Sequence, residues 1–218
     1  MKHARAEEAL PLLACAGIAV AAVAMVASLI SPGPYPDALN LTISEYAALE
    51  GGGAIPFAMG ALGIASFALV AGLRAVKAPV GVTAERLMLT WSAALVVLAI
   101  VPSAAPGPFM DLSSQVHRYV SIAAFVAMPA AGALMVTRFG EDERWRVVAR
   151  PVEWLALAGG FGLLAITYVA LPGDGVLIGL VERILLGTEI ALLGVLAVRL
   201  AQLTWVRETA RASQAAMS

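Results

Sequence analysis

Residues 53–76 read GAIPFAMGALGIASFALVAGLRAV, twenty-four residues in which Arg74, near the end, is the only charge. As a helix this stretch is about 36 Å long, more than the roughly 30 Å of a bilayer's hydrocarbon core. Barrel strands are about 10 residues long and alternate in polarity, so a membrane β-barrel does not fit a continuous run. The stretch reads as a membrane-spanning α-helix.

Five more such runs lie outward from it, at about 9–31, 87–105, 119–137, 152–171 and 181–203. Turn-forming segments separate them: SPGPYPD at 31–37, KAPVG at 77–81, PSAAPGP at 102–108, FGEDER at 139–144 and PGDG at 172–175. The longest connection, 32–52, is too short for a separate domain. The first run follows Lys2 and Arg5 as a secretory signal would, but its apolar core of about 20 residues exceeds the usual 7–15. It reads as a retained helix. The expected fold is therefore all-α: a polytopic bundle of six transmembrane helices at 9–203, with a short N-terminus at 1–8 and a tail at 204–218.

Lys and Arg give the orientation, because positive charge is retained on the cytoplasmic side. Alternate connections and both ends hold 12 of the 14 basic residues, leaving only Arg118 and Arg183 on the other side. Both termini are thus expected in the cytoplasm. The charge alternation supports the span count independently, since one missing helix would scramble it.

Composition agrees. The 218 residues are 61% hydrophobic and 13% charged, against about 45–50% and about 25% in soluble domains. A net charge of −1 gives no reason to expect a nucleic-acid partner. Twelve Arg against two Lys, with abundant Ala, Gly and Val, suggests a GC-rich bacterial genome, so the expected location is the bacterial cytoplasmic membrane.

Several chemistries are excluded. Cys15 is the single cysteine, so neither an intrachain disulfide nor a dithiol site exists. His3 and His117 fall at opposite ends of the predicted bundle, which rules out a three-His zinc site and bis-His haem ligation. No nucleophile elbow or phosphate-binding loop motif is present. No metal or cofactor is expected.

The polar residues that remain gather toward the outward side. Glu182 and Glu189 are seven residues apart, on nearly one helical face and about 10.5 Å apart along the axis. Glu189 falls near mid-membrane, where a carboxyl must be protonated, bonded to another helix or exposed to a water-filled cavity. Arg183 keeps its charge and needs a partner; Glu45 and Asp111 are the candidates. His117 opens the fourth span with Ser114 and Ser121 on its side, and is placed to act as an acid, a base or a structural residue. Asp37, Glu50 and Asp174 read as solvated loop ends. Pro56 and Pro129 are expected to kink their spans. The small residues of spans two, five and six, among them Gly63, Gly159, Gly160, Gly162 and Gly194, read as packing faces.

Three short motifs recur in order: PYPDALNLTISEYAAL at 34–49, Asp111 followed by His117 at the fourth span, and LVERILLG at 180–187. In these the chain resembles the prokaryotic integral-membrane family catalogued as domain of unknown function 998. The resemblance implies a six-helix membrane protein and brings no reaction with it. Carried over, its polar set is Ser44, Glu45, Asp111, His117, Glu182 and Arg183.

Three functions follow as expectations. The preferred one is non-enzymatic: an outward-facing polar pocket that binds a membrane lipid or other amphipathic small molecule, with Arg183 on its anionic group. The second is a small proton-coupled transporter using Glu189. The third is a membrane hydrolase using His117 with Asp111 or Glu182. No protein partner can be read.

Overall fold

The computed structural model describes residues 2–30, 39–49, 53–101 and 112–217. Regular structure among them is entirely helical: α1 Lys2–Ile30, α2 Ile43–Leu49, α3 Ala54–Ala75, α4 Val82–Ile100, α5 Leu112–Glu141, α6 Arg146–Ala170 and α7 Ile178–Met217. Five of these, α3 to α7, are long and apolar enough to cross a membrane, and α1 carries a shorter apolar stretch at Leu10–Ala24. Several helices outrun the hydropathy spans, because backbone hydrogen bonding continues into polar flanks. By contrast α4 stops at Ile100. Val101 precedes Pro102 and takes extended backbone, φ −87° and ψ 109°, as steric conflict with the proline ring requires.

The long helices form a closed ring. α1 packs on α3, α3 on α4, α4 on α5, α5 on α6, α6 on α7, and α7 returns to α1. α7 leans inward far enough to touch α3 and α5 as well, and its Leu185, Leu192, Leu193, Leu196 and Leu200 are fully buried. On the outside, Leu12, Val23, Phe57, Ile64, Trp154, Phe161, Leu164 and Tyr168 are exposed. In water this much apolar surface would aggregate; against lipid tails it is the ordinary exterior of a helical membrane protein.

Close approach sets which small residues matter. A Cβ on Gly63 would lie 2.9 Å from Val96 Cγ2 and 3.0 Å from the Ser92 carbonyl oxygen, so α3 and α4 meet there backbone to backbone. Gly159 likewise faces Pro129, and Gly162 faces Leu185. Around Gly160 and Gly194, expected to pack, nothing among the described residues lies within 4 Å of the Cβ position. Gly17 and Gly72 are contacts the sequence did not single out: Gly17 meets Ala65, and Gly72 meets Leu200.

The prolines also divide. Pro56 is the third residue of α3, where a backbone N–H has no intrahelical acceptor to lose, so its position gives no reason for a kink. Pro129 lies deep within α5 and deprives the Phe125 carbonyl of its usual donor, yet the helix runs on from Leu112 to Glu141.

One end of the ring gathers the basic residues and is tightly fastened. The α3 C-terminus closes in a Schellman turn: Lys77 is left-handed at φ 54°, and the Ala78 N–H returns to the Leu73 carbonyl at 2.9 Å. Arg74 pairs with Glu85 at 2.6 Å across this turn. Arg144 reaches over from the α5–α6 connection to the carbonyls of Val76 and Lys77, both at 3.4 Å. Its own carbonyl accepts from Arg199 of α7, with Nε at 2.7 Å and Nη2 also in contact. Beneath them Trp145 is wholly buried and stacks on Phe139 with ring centroids 5.1 Å apart. Asp142 forms a hydrogen-bonded pair with Arg144 at 3.0 Å. That hydrogen bond holds the Asp142 carboxyl below its ordinary range.

Candidate functional site

The opposite end is closed by a short segment, residues 39–49. Its sequence LNLTISEYAAL contains T-x-x-E, the capping box of a helix start. The geometry realises that signal. Glu45 N–H donates to Thr42 Oγ1 at 3.1 Å, while the Thr42 N–H and O–H donate to Glu45 Oε2 at 2.9 and 2.8 Å. α2 follows, with Ile43 and Tyr46 turned into the protein and buried.

Successive residues of this segment are tied to the ring. The Leu180 N–H donates to the Leu39 carbonyl at 3.0 Å, and the Leu177 N–H to Asn40 Oδ1 at 2.7 Å. Arg183 Nη1 donates to the Leu41 carbonyl at 3.0 Å and to the Gly179 carbonyl at 2.9 Å. The Ile43 N–H donates to Glu182 Oε2 at 2.6 Å. Ser44 Oγ lies 2.8 Å from His117 Nε2. Segment 39–49 is thus a cap held by α7 and α5, and most of the polar groups that hold it come from the α6–α7 corner and the first turns of α7.

His117 is buried and bonded at both ring nitrogens. Its Nδ1 lies 2.8 Å from the Val101 carbonyl oxygen, at the end of α4. A carbonyl can only accept, so Nδ1 carries a hydrogen; in the neutral ring Nε2 then presents its lone pair to the Ser44 hydroxyl. Ser121 bonds the His117 backbone carbonyl at 2.9 Å rather than the ring.

The polar set read from the sequence is therefore partly assembled. His117, Glu182 and Arg183 all meet the cap, His117 through the cap's own Ser44. Glu45, expected as a candidate partner for Arg183, is instead turned back onto the N-cap Thr42 at the start of α2. Arg183 instead has the Leu41 and Gly179 carbonyls and the face of Tyr46, whose ring centroid is 6.0 Å from its guanidinium carbon. His117 bonds Ser44 and Val101, while the Glu182 carboxylate is engaged by the Ile43 N–H. Asp111, Asp37 and Glu50 lie outside the described residues. Asp174 is exposed in the 171–177 turn, left-handed at φ 50°.

Glu189 lies two turns further in. Its side chain is buried, and among the described residues neither carboxylate oxygen meets a hydrogen-bond partner. No group of His, Cys, Asp or Glu among the described residues is arranged to hold a metal ion.

Two small cavities lie beneath the cap and share Ile43, Met59, Leu95 and Leu186 in their walls. One, of about 20 Å³, is bordered by Ser44, Ser121, Phe125 and Glu182. Its neighbour, of about 40 Å³, is apolar and bordered by Ala21, Ala58, Leu62 and Ile190. Such volumes hold from one to a few waters.

Thr42, Tyr46 and the Val101 carbonyl were not singled out from the sequence. The capping box would have drawn attention to the first. The family described as Protein of unknown function (DUF998) matches the chain over residues 15–199, which upholds the resemblance drawn from the motifs at 34–49, 111–117 and 180–187. No curated protein and no solved structure matches the chain.

Proposed function

We infer that this chain, which belongs to the family described as Protein of unknown function (DUF998), binds a lipid or another amphipathic molecule at its capped end. The observation that carries this reading is the order of chemistry along the bundle axis. Buried Arg183, Glu182 and His117 meet the cap, Glu182 borders the small cavity beneath it, and that cavity shares Ile43, Met59, Leu95 and Leu186 with an apolar crevice further in. A molecule with an anionic group and an acyl chain satisfies both: Arg183 engages the anion, and the chain lies between Ala21, Ala58 and Ile190. With the cap seated there is room only for water, so segment 39–49 lifts as the ligand enters. In this arrangement α1 is the sixth span. Both termini lie on the cytoplasmic side of a bacterial cell membrane, since the basic end is the one retained.

Native mass spectrometry of protein released from phosphatidylglycerol-containing vesicles tests the reading. Wild type and Arg199→Ala, altered at the far end, carry lipid adducts, whereas Arg183→Ala loses about tenfold in occupancy, matching about 1.5 kcal/mol for one charged contact. Full retention in a monodisperse Arg183→Ala protein removes the reading.

A second reading rests on Glu189, because a carboxyl buried near mid-span without a partner is expensive unless it does something. Here it takes up and releases a proton as part of transport. Proton flux into vesicles that is unchanged by Glu189→Gln would end that reading.

A further inference from the structure

The geometry points to Ser44 as the nucleophile and His117 as the general base of an ester-cleaving site, with an acyl ester as substrate. This inference rests on the amphipathic-ligand reading and names the ligand's class. Three observations converge on it. The Val101 carbonyl fixes the ring so that Nδ1 is the donor, which leaves Nε2 facing Ser44 Oγ at 2.8 Å. That is the contact a base needs to withdraw the hydroxyl proton, with a third group orienting the base. Ser44 also lines the smaller cavity, so it borders the space that a reacting carbonyl would enter once the cap lifts. Finally, that cavity shares Ile43, Met59, Leu95 and Leu186 with the apolar crevice, whose further wall of Ala58 and Ile190 is where an acyl chain attached to that carbonyl would lie.

The step balances without an outside oxidant or reductant. Ser44 Oγ forms a bond to the ester carbonyl carbon as its proton passes to His117 Nε2. The carbon–oxygen bond to the alcohol then breaks, and the leaving alcohol takes that proton. Water attacks the acyl-serine, gives one proton through His117 back to Ser44 Oγ, and releases the fatty acid.

A fluorophosphonate, which phosphonylates only activated serines, is the probe. The full-length protein in lipid nanodiscs should take up one label, mapped by mass spectrometry to Ser44, and should hydrolyse p-nitrophenyl laurate. Ser44→Ala should abolish both. His117→Gln can keep the tie to Ser44 but cannot act as the base, and should lower both rates by about 100-fold. Thr167→Ala, which removes an exposed hydroxyl on α6, should leave both intact. Glu182→Ala, which removes the acceptor of the Ile43 N–H and so loosens the cap, answers the objection that the site is merely closed. If monodisperse wild type and Glu182→Ala both remain unlabelled, or if labelling survives Ser44→Ala, the assignment is wrong and Ser44–His117 is only a latch. Lipid adducts that persist in an unlabelled protein overturn the nucleophile alone; labelling of Ser44 without lipid retention overturns the binding reading alone.

Discussion

The two ends of the bundle use polar side chains in opposite ways. At the basic end, guanidinium groups terminate backbone: Arg144 meets the last carbonyls of the α3 turn, and Arg199 meets the carbonyl of Arg144. Those carbonyls are the acceptors that a helix end or turn leaves without intrahelical donors, so each bond finishes secondary structure already present. At the capped end, side chains of α7 and α5 hold a separate short segment in place; Glu182, His117 and Arg183 are buried there, and Glu182 borders a small cavity. The first arrangement makes one end rigid. The second fastens a separate segment by side-chain bonds rather than by continuous helix, the kind of element from which locally opening regions are drawn.

The largest expected effect comes from breaking the basic end. Trp145 is wholly buried and stacked on Phe139, so Trp145→Ala should destabilise the protein by about 3–5 kcal/mol, the usual range for truncating a large buried aromatic. Thermal unfolding in detergent should show it as a global loss. Amide exchange across residues 39–49, measured well below the transition, should stay as in wild type. Selective exposure of the cap by this substitution would show that the ends are not separable.

The converse change is smaller and local. Glu182→Ala removes the acceptor of the 2.6 Å bond from Ile43 N–H and leaves a buried donor unpaired, a loss of about 1–3 kcal/mol. Hydrogen exchange at Ile43 should accelerate by roughly 10- to 100-fold, with little change in the global transition. A protein that melts as a whole before the cap exchanges would erase the distinction between fastening and gating.

These contrasts mark how far the sequence alone can be read. Hydrocarbon imposes a length on each apolar run, so α3 to α7 are visible as runs, and basic residues sort to one end because their charge opposes translocation. Which helices touch is not visible. Gly63 and Gly194 are the same residue in similar apolar runs, yet only Gly63 meets a neighbour, because helix rotation decides contact and composition does not encode it. Pro56 and Pro129 were alike in the same way until the helix start fixed one as terminal. At the site, the polar residues could be collected from their scarcity, but their pairing could not. Glu45 is bound locally by Thr42, a pattern readable as T-x-x-E, whereas the partner of His117 Nδ1 is a backbone carbonyl with no signature in any side chain.

The smallest effect sharpens the comparison through pH. Asp142 and Arg144 are partly exposed, so their pair contributes only about 0.2–1 kcal/mol. The hydrogen bond from Arg144 lowers the Asp142 carboxyl in the folded state, which makes the contribution present above the ordinary aspartate value and lost as pH falls through the lowered folded value. Asp142→Asn keeps the shape and removes the charge. Wild type should therefore exceed Asp142→Asn slightly in thermal stability at neutral pH, and the two should converge below pH of about 3.9, where unfolded aspartate protonates. Exchange of residues 39–49 should not follow this titration, because the pair fastens the opposite end of the ring. If cap exchange at neutral pH tracked the Asp142 charge, the basic end would be coupled to the site, and the division of labour between the two ends would have to be replaced by a single cooperative unit.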